Sequence, residues 1–188
     1  MDKEYLLKSL LQYNYFPLQS KDKEEIPHIL NSKCLTPEIS EELIKLNCRK
    51  EGYDQVEYRL TRYNNVPRLL SIPHPLPYAK LCHSFYDNWE KLKYIMQTEN
   101  SLIIPKKHKD GRIIIMNYEN IKKNIERRVK LSFNKKFYVK ADISNFYPSI
   151  YSHSVPWALV GIDNAKKDHD HNKWFNKIDK YQRLMKRN

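Results

Sequence analysis

The chain has 188 residues, 40% of them hydrophobic and 12% aromatic, with a formal net charge of +12. That much apolar material excludes a disordered tail, and no run approaches the ~18 consecutive apolar residues of a transmembrane helix. The N-terminus carries acids early without a small-residue cleavage site, which argues against a secretory signal. Three widely spaced cysteines (Cys34, Cys48, Cys82), with no C-x-x-C pair, read as reduced, buried or half-buried thiols of a cytoplasmic protein.

Leu6, Leu7, Leu10 and Leu11 recur at helical spacing and predict a short amphipathic helix over 3–13. Thr36-Pro37-Glu38 is a helix start, a capping hydroxyl followed by proline at the first position, leading into Ile39, Leu43, Ile44 and Leu46. Residues 52–77 hold Asn64-Asn65, Pro67, Pro73, Pro75 and Pro77 and read as extended and turn-rich. A helix from Tyr78 to about Met96 follows, with Leu81, Phe85, Trp89, Leu92 and Met96 along one side. Next, Leu102–Ile104 and Ile113–Ile115 flank a Lys-rich connection with Asp110-Gly111, a hairpin signal.

Residues 118–133 predict a helix with Ile121, Ile125, Val129 and Phe133 on its apolar stripe and Lys123, Arg127 and Lys130 on another face. In KKFYVKADIS the odd positions Phe137, Val139, Ala141 and Ile143 alternate with polar ones, so a strand burying that face would present Asp142 at its end. A turn at Tyr147-Pro148, a short helix near Val155–Val160 and a basic helix from about Asn172 to Arg187 complete the chain. Only 3 glycines argue against a glycine-rich phosphate loop.

Charge is concentrated. Residues 1–50 hold 8 basic and 8 acidic side chains and residues 51–100 hold 6 and 6, whereas residues 101–140 hold 12 against 3. A field placed like this suits a polyanion partner, although a solvated helix face accounts for it equally well. Beside it, Asp142 is either a cap for the following turn or a ligand for a divalent ion such as Mg²⁺, which takes hard oxygen ligands. Asp168-His169-Asp170-His171 reads as a solvated loop, and Trp89, Trp157 and Trp174 as core anchors.

The stretch YVKADISNFYPSIYSHSVPWAL resembles the first catalytic palm motif of reverse transcriptases, especially the bacterial group of abortive-infection and other antiviral-defence enzymes. RLTRYNNVPRLLSIPHPLPYAKLC is similar to the fingers region of that group, and SLIIPKKHKDGRIIIMNYE to the fingers hairpin. The resemblance spans roughly residues 55–160. It implies an α+β fold comprising the fingers and partial palm of a right-hand polymerase, helix-rich with a β-hairpin and a palm strand. The implied segments are 1–50, an N-terminal helical region; 51–135, fingers-like; and 136–188, partial palm.

By the same resemblance Asp142 is the first metal-binding aspartate, with the carbonyl of Ile143 as a second ligand, in an Mg²⁺-dependent RNA-directed DNA polymerase. Tyr147 excludes a 2′-hydroxyl, Arg112 with Lys106, Lys107 and Lys109 grips the dNTP triphosphate, and Arg68 either holds template or packs. Lys123, Arg127 and Lys130 are expected to contact nucleic acid. The chain departs from the family pattern in having no Asp-Asp pair and no Gln-Gly-containing motif. One carboxylate cannot hold two Mg²⁺ ions, so the expectation is a portion of a longer enzyme, truncated before the remaining palm and thumb, inactive alone and completed by a C-terminal portion encoded downstream. The alternatives are a non-catalytic nucleic-acid-binding module and a truncated relic.

Overall fold

The computed structural model describes residues 1–16, 31–61, 67–98, 101, 103–115, 121–139, 141, 143, 146–151, 153–168 and 170–185. Helices predominate, and the described residues contain one antiparallel sheet of two strands, an α+β arrangement. Helix α1 (Lys3–Ser9) starts where Asp2 accepts the N–H of Tyr5 at 2.7 Å, and it widens into a π-helical turn over Leu10–Asn14. Helix α2 (Pro37–Ile44) begins as its sequence predicts: Thr36 accepts the N–H of Ile39, and Pro37 fills a position whose N–H would have no partner.

Of the stretch 52–77, expected to be extended, Val56–Thr61 and Pro67–Ile72 are extended and pair. Pro75 and Pro77 instead lie in the first turn of the next helix, which starts three residues before the expected Tyr78 because proline needs no N–H partner there. Strand β1 (Val56–Thr61) pairs with β2 (Pro67–Ile72) in the register Val56 to Ile72 and Thr61 to Pro67, with Pro67 at the first position of its strand. Helix α3 (Pro75–Asp87) follows, but the expected continuous helix to Met96 is broken. Asn88 leaves helical geometry (φ −107°, ψ 16°), and the chain resumes as α4 (Trp89–Leu92) and a 3₁₀ turn over Lys93–Gln97. The break lets Trp89 and Leu92 both enter the core, at 2% and 3% exposure.

Leu6, Leu7, Leu10 and Leu11 meet Ala79, Leu81, Cys82, Trp89, Leu92, Ile113 and Ile178 in one cluster. A fully buried side chain of this size contributes about 1.5–3 kcal/mol. Two long-range bonds fix its geometry: Trp89 Nε1–H donates to the Met1 carbonyl (3.1 Å) and Tyr78 Oη–H to the Leu10 carbonyl (2.8 Å). The last helix, α9 (Trp174–Leu184), is amphipathic as well as basic, and packs Phe175 and Ile178 inward against α3 and α7 (Ser154–Val160). Gly161 (φ 84°) ends α7 before α8 (Ile162–Lys167), a left-handed C-terminal position that suits glycine.

Three other expectations are corrected. The segment 103–115 forms a looped turn, not a β-hairpin. Phe137, Tyr138 and Val139 form no strand, and Phe137 and Val139 are 87% and 85% exposed, so the alternating face is not buried. A strand acquires a buried face only from paired neighbours, and none lies beside these residues among those described. Helix α5 (Ile121–Ser132) forms as expected, with its stripe of Ile121, Ile125 and Val129 54–77% exposed. Of the cysteines, Cys82 is buried and Cys48 half-buried, while Cys34 is exposed. Among the described residues no helix is long and apolar enough to cross a membrane.

Candidate nucleic-acid interface

The loop at 105–113 is built outward from one buried anchor. Ile113 is 1% exposed, and its carbonyl accepts the N–H of Lys106 at 2.9 Å. His108 N–H donates to the Arg112 carbonyl (3.1 Å), and Gly111 N–H returns to the His108 carbonyl (3.1 Å). The Asp110-Gly111 signal therefore marks a real turn, with Gly111 at φ 87°. Asn14 clamps it from the π-helical turn: its Oδ1 accepts the N–H of Ile113 (3.0 Å) and its amide donates to the Ile114 carbonyl (2.8 Å).

This framework sorts the four expected phosphate-gripping residues. Lys106 and Lys109 are exposed and make no ion pair among the described residues. Lys107 turns back onto the N-terminus, 3.1 Å from Asp2 Oδ2 and 4.4 Å from the centre of the Tyr5 ring. Arg112 is half-buried and holds Asp110 through Nε (2.7 Å) and its own backbone N–H (3.1 Å). Burial opposes ionisation of Asp110, but the hydrogen bonds from Arg112 outweigh it and keep the carboxyl below its usual value.

Lys123, Arg127 and Lys130 lie on α5, exposed. Asn134, in the left-handed region (φ 56°), follows the end of this helix. Asp142 lies outside the described residues, as do the side chains of Tyr147 and Arg68, whose backbones fall in α6 (Phe146–Ser149) and β2. Ile143 is 64% exposed. Among the described residues no three His, Cys, Asp or Glu side chains gather as metal ligands. The carbonyl of Ile143 and the carboxylate of Asp142 fall short of the near-octahedral shells two Mg²⁺ ions require. In the acidic tract, Asp168 Oδ1 accepts the N–H of Asp170, Asp170 Oδ1 that of Asn172, and Lys173 lies 3.4 Å from Asp168: turn bonds preceding α9.

Sequence reasoning missed Tyr13 and Asn14, the residues that position the loop. They lie about a hundred positions from it, and nothing in their local pattern signals the contact. A Cβ at Gly111 would sit 2.8 Å from the Tyr13 ring, on a backbone that already favours glycine. Gly111→Ala is therefore expected to cost about 1–3 kcal/mol and to release the loop. Faster amide exchange at Ile113 together with a lowered melting temperature would show it; unchanged exchange would remove Tyr13 from this role.

No family model matches the sequence, and no curated protein is significantly similar to it.

Proposed function

We propose that the chain is the nucleic-acid- and nucleotide-binding portion of an RNA-directed DNA polymerase of the reverse-transcriptase type, forming its fingers and part of its palm and serving bacterial antiviral defence. The observation that carries the reading is the basic loop: Ile113 and Asn14 hold its backbone while Lys106 and Lys109 stand in solvent. Cations on a fixed backbone neutralise phosphates with little ordering cost. Arg112, fixed through Nε to Asp110, keeps its Nη1 edge for a phosphate oxygen. Lys123, Arg127 and Lys130 extend the positive surface along α5, and Tyr147, five residues past Asp142, bars a 2′-hydroxyl.

Asp142 is the chain's contribution to Mg²⁺ binding. The remaining carboxylates come from a C-terminal polymerase portion, the protein partner this reading requires. An RNA template annealed to a DNA primer is expected to bind the chain with steep inverse salt dependence. Joined to a portion bearing Tyr/Phe-x-Asp-Asp, the chain should incorporate dNTP, and Asp142→Asn should reduce the rate at least ~100-fold while leaving binding unchanged. Binding without incorporation favours the non-catalytic module. Salt-independent binding removes both readings.

A further inference from the structure

A second cationic site lies away from the loop, where three distant segments meet. The turn 49–52 closes with Gly52 N–H donating to the Arg49 carbonyl (3.3 Å), on a glycine at φ 79°. It is fastened on both sides. Tyr53 N–H donates to the Leu184 carbonyl at the end of α9 (3.1 Å), and the Tyr53 ring stacks on His74 with centroids 4.0 Å apart. The Arg49 guanidinium lies 5.7 Å from the centre of that ring, and Arg49 N–H donates to Tyr53 Oη (3.3 Å).

Between this turn, α3 and α9 opens a cleft of about 600 Å³, within the ~300–1,000 Å³ of small-molecule sites. Its walls carry Arg49 and Lys50 from the turn, Lys80 from α3, and Lys180 and Arg183 from α9, against the single carboxylate of Glu51. Lys80 is half-buried, and Lys50, Lys80 and Lys180 make no ion pair among the described residues. Lys80 and Lys180 lie close enough to Cys48, which also lines the cleft, to favour its thiolate against the larger opposing effect of burial. Arg183 is held in place by the buried Asp179, whose Oδ2 accepts its Nε–H at 3.0 Å.

Like charges converging on one concave space repel unless an anion lies among them, and low-dielectric walls focus their field into it. We infer that this cleft binds a small phosphate-rich ligand of nucleotide size, with Lys80 of α3 and Lys180 of α9 gripping it. Cations from three segments converging on one concave space suit a compact polyphosphate better than a strand running past. The inference does not rest on the polymerase reading, because none of its residues belongs to the loop or to α5.

The test is calorimetric titration of the full chain with tripolyphosphate and, separately, ATP at about 0.1 M salt. Saturable binding of tripolyphosphate is expected, weakened at least ~10-fold by Lys80→Gln/Lys180→Gln and unchanged by Lys106→Gln/Lys109→Gln. ATP binding through the same lysines identifies a nucleotide as the source of the phosphates; tripolyphosphate binding alone identifies a free polyphosphate. Lys180→Gln by itself changes only an exposed side chain, and a ~3-fold loss there shows the effect without a folding defect. Absence of saturable binding, or an equal loss in the loop variant, overturns the inference. So does single-stranded RNA held through Lys80 and Lys180 that tripolyphosphate cannot displace, which would make the cleft a backbone track.

Discussion

Changing Lys106, Lys109, Lys123 and Lys130 together to glutamine is expected to weaken primer–template binding by about 10²–10³-fold at ~0.1 M salt. The slope of log affinity against log salt should fall by about 3–4, because each lost phosphate contact releases roughly one counterion fewer. The four were chosen on structural grounds. All are exposed, whereas Lys107 is engaged by Asp2 and Tyr5, and Arg112 by Asp110. Lys107→Gln should accordingly affect binding less than Lys106→Gln. Fluorescence anisotropy at several salt concentrations measures both quantities, and an unchanged slope in the fourfold variant would remove the loop and α5 from the interface. Glutamine is polar and uncharged, and at Lys123 and Lys130 it keeps the helix propensity of lysine, so the effect reads charge and not folding.

Trp89→Ala should destabilise the protein by about 3–5 kcal/mol, a large part of the 5–15 kcal/mol typical of a domain. The side chain is 2% exposed and belongs to the central cluster shared by α1, α3, α4 and α9. Its Nε1–H also ties the Met1 carbonyl to the core, so truncation opens a cavity and removes that tie together. Urea unfolding followed by circular dichroism should show the midpoint falling by about 1–3 M. A loss under ~1 kcal/mol would mean that the N-terminal helix is not part of one cooperative core. Val129→Ala on α5 supplies the contrast: at 58% exposure, that residue should change stability by less than ~0.5 kcal/mol.

The helices were readable where the signal is local. Thr36-Pro37 set the start of α2, apolar spacing set α3 and α5, and Asp110-Gly111 placed a turn that the structure contains. Expectations failed where a partner decides the outcome. The alternation at Phe137–Ile143 has the period of a strand, yet period 2 specifies only which side chains share a face, not whether another strand comes to bury it. The 3.6-residue stripe of α5 predicted the helix correctly, and for the same reason carries no information on whether that face is covered. Asn88 interrupts a helix whose apolar pattern runs straight through it, because two shorter pieces bring both Trp89 and Leu92 into the core.

The site divides along the same line. Linear order alone located the excess of positive charge at 101–140, since counting requires no geometry. It could not show that Arg112 is committed to Asp110 or that Asn14 clamps Ile113 across a hundred residues. Counting also passed over the second cationic cluster, because Arg49, Lys50 and Lys80 sit in blocks whose basic and acidic side chains balance. Of their acidic neighbours in sequence only Glu51 lines the cleft, and only the packing of α3 against α9 brings these cations together with Lys180 and Arg183. Composition and periodicity determined a helix-rich basic chain with particular caps and turns. Which charges share a space was decided by tertiary packing, because electrostatic interaction depends on distance through the folded molecule and not along the chain.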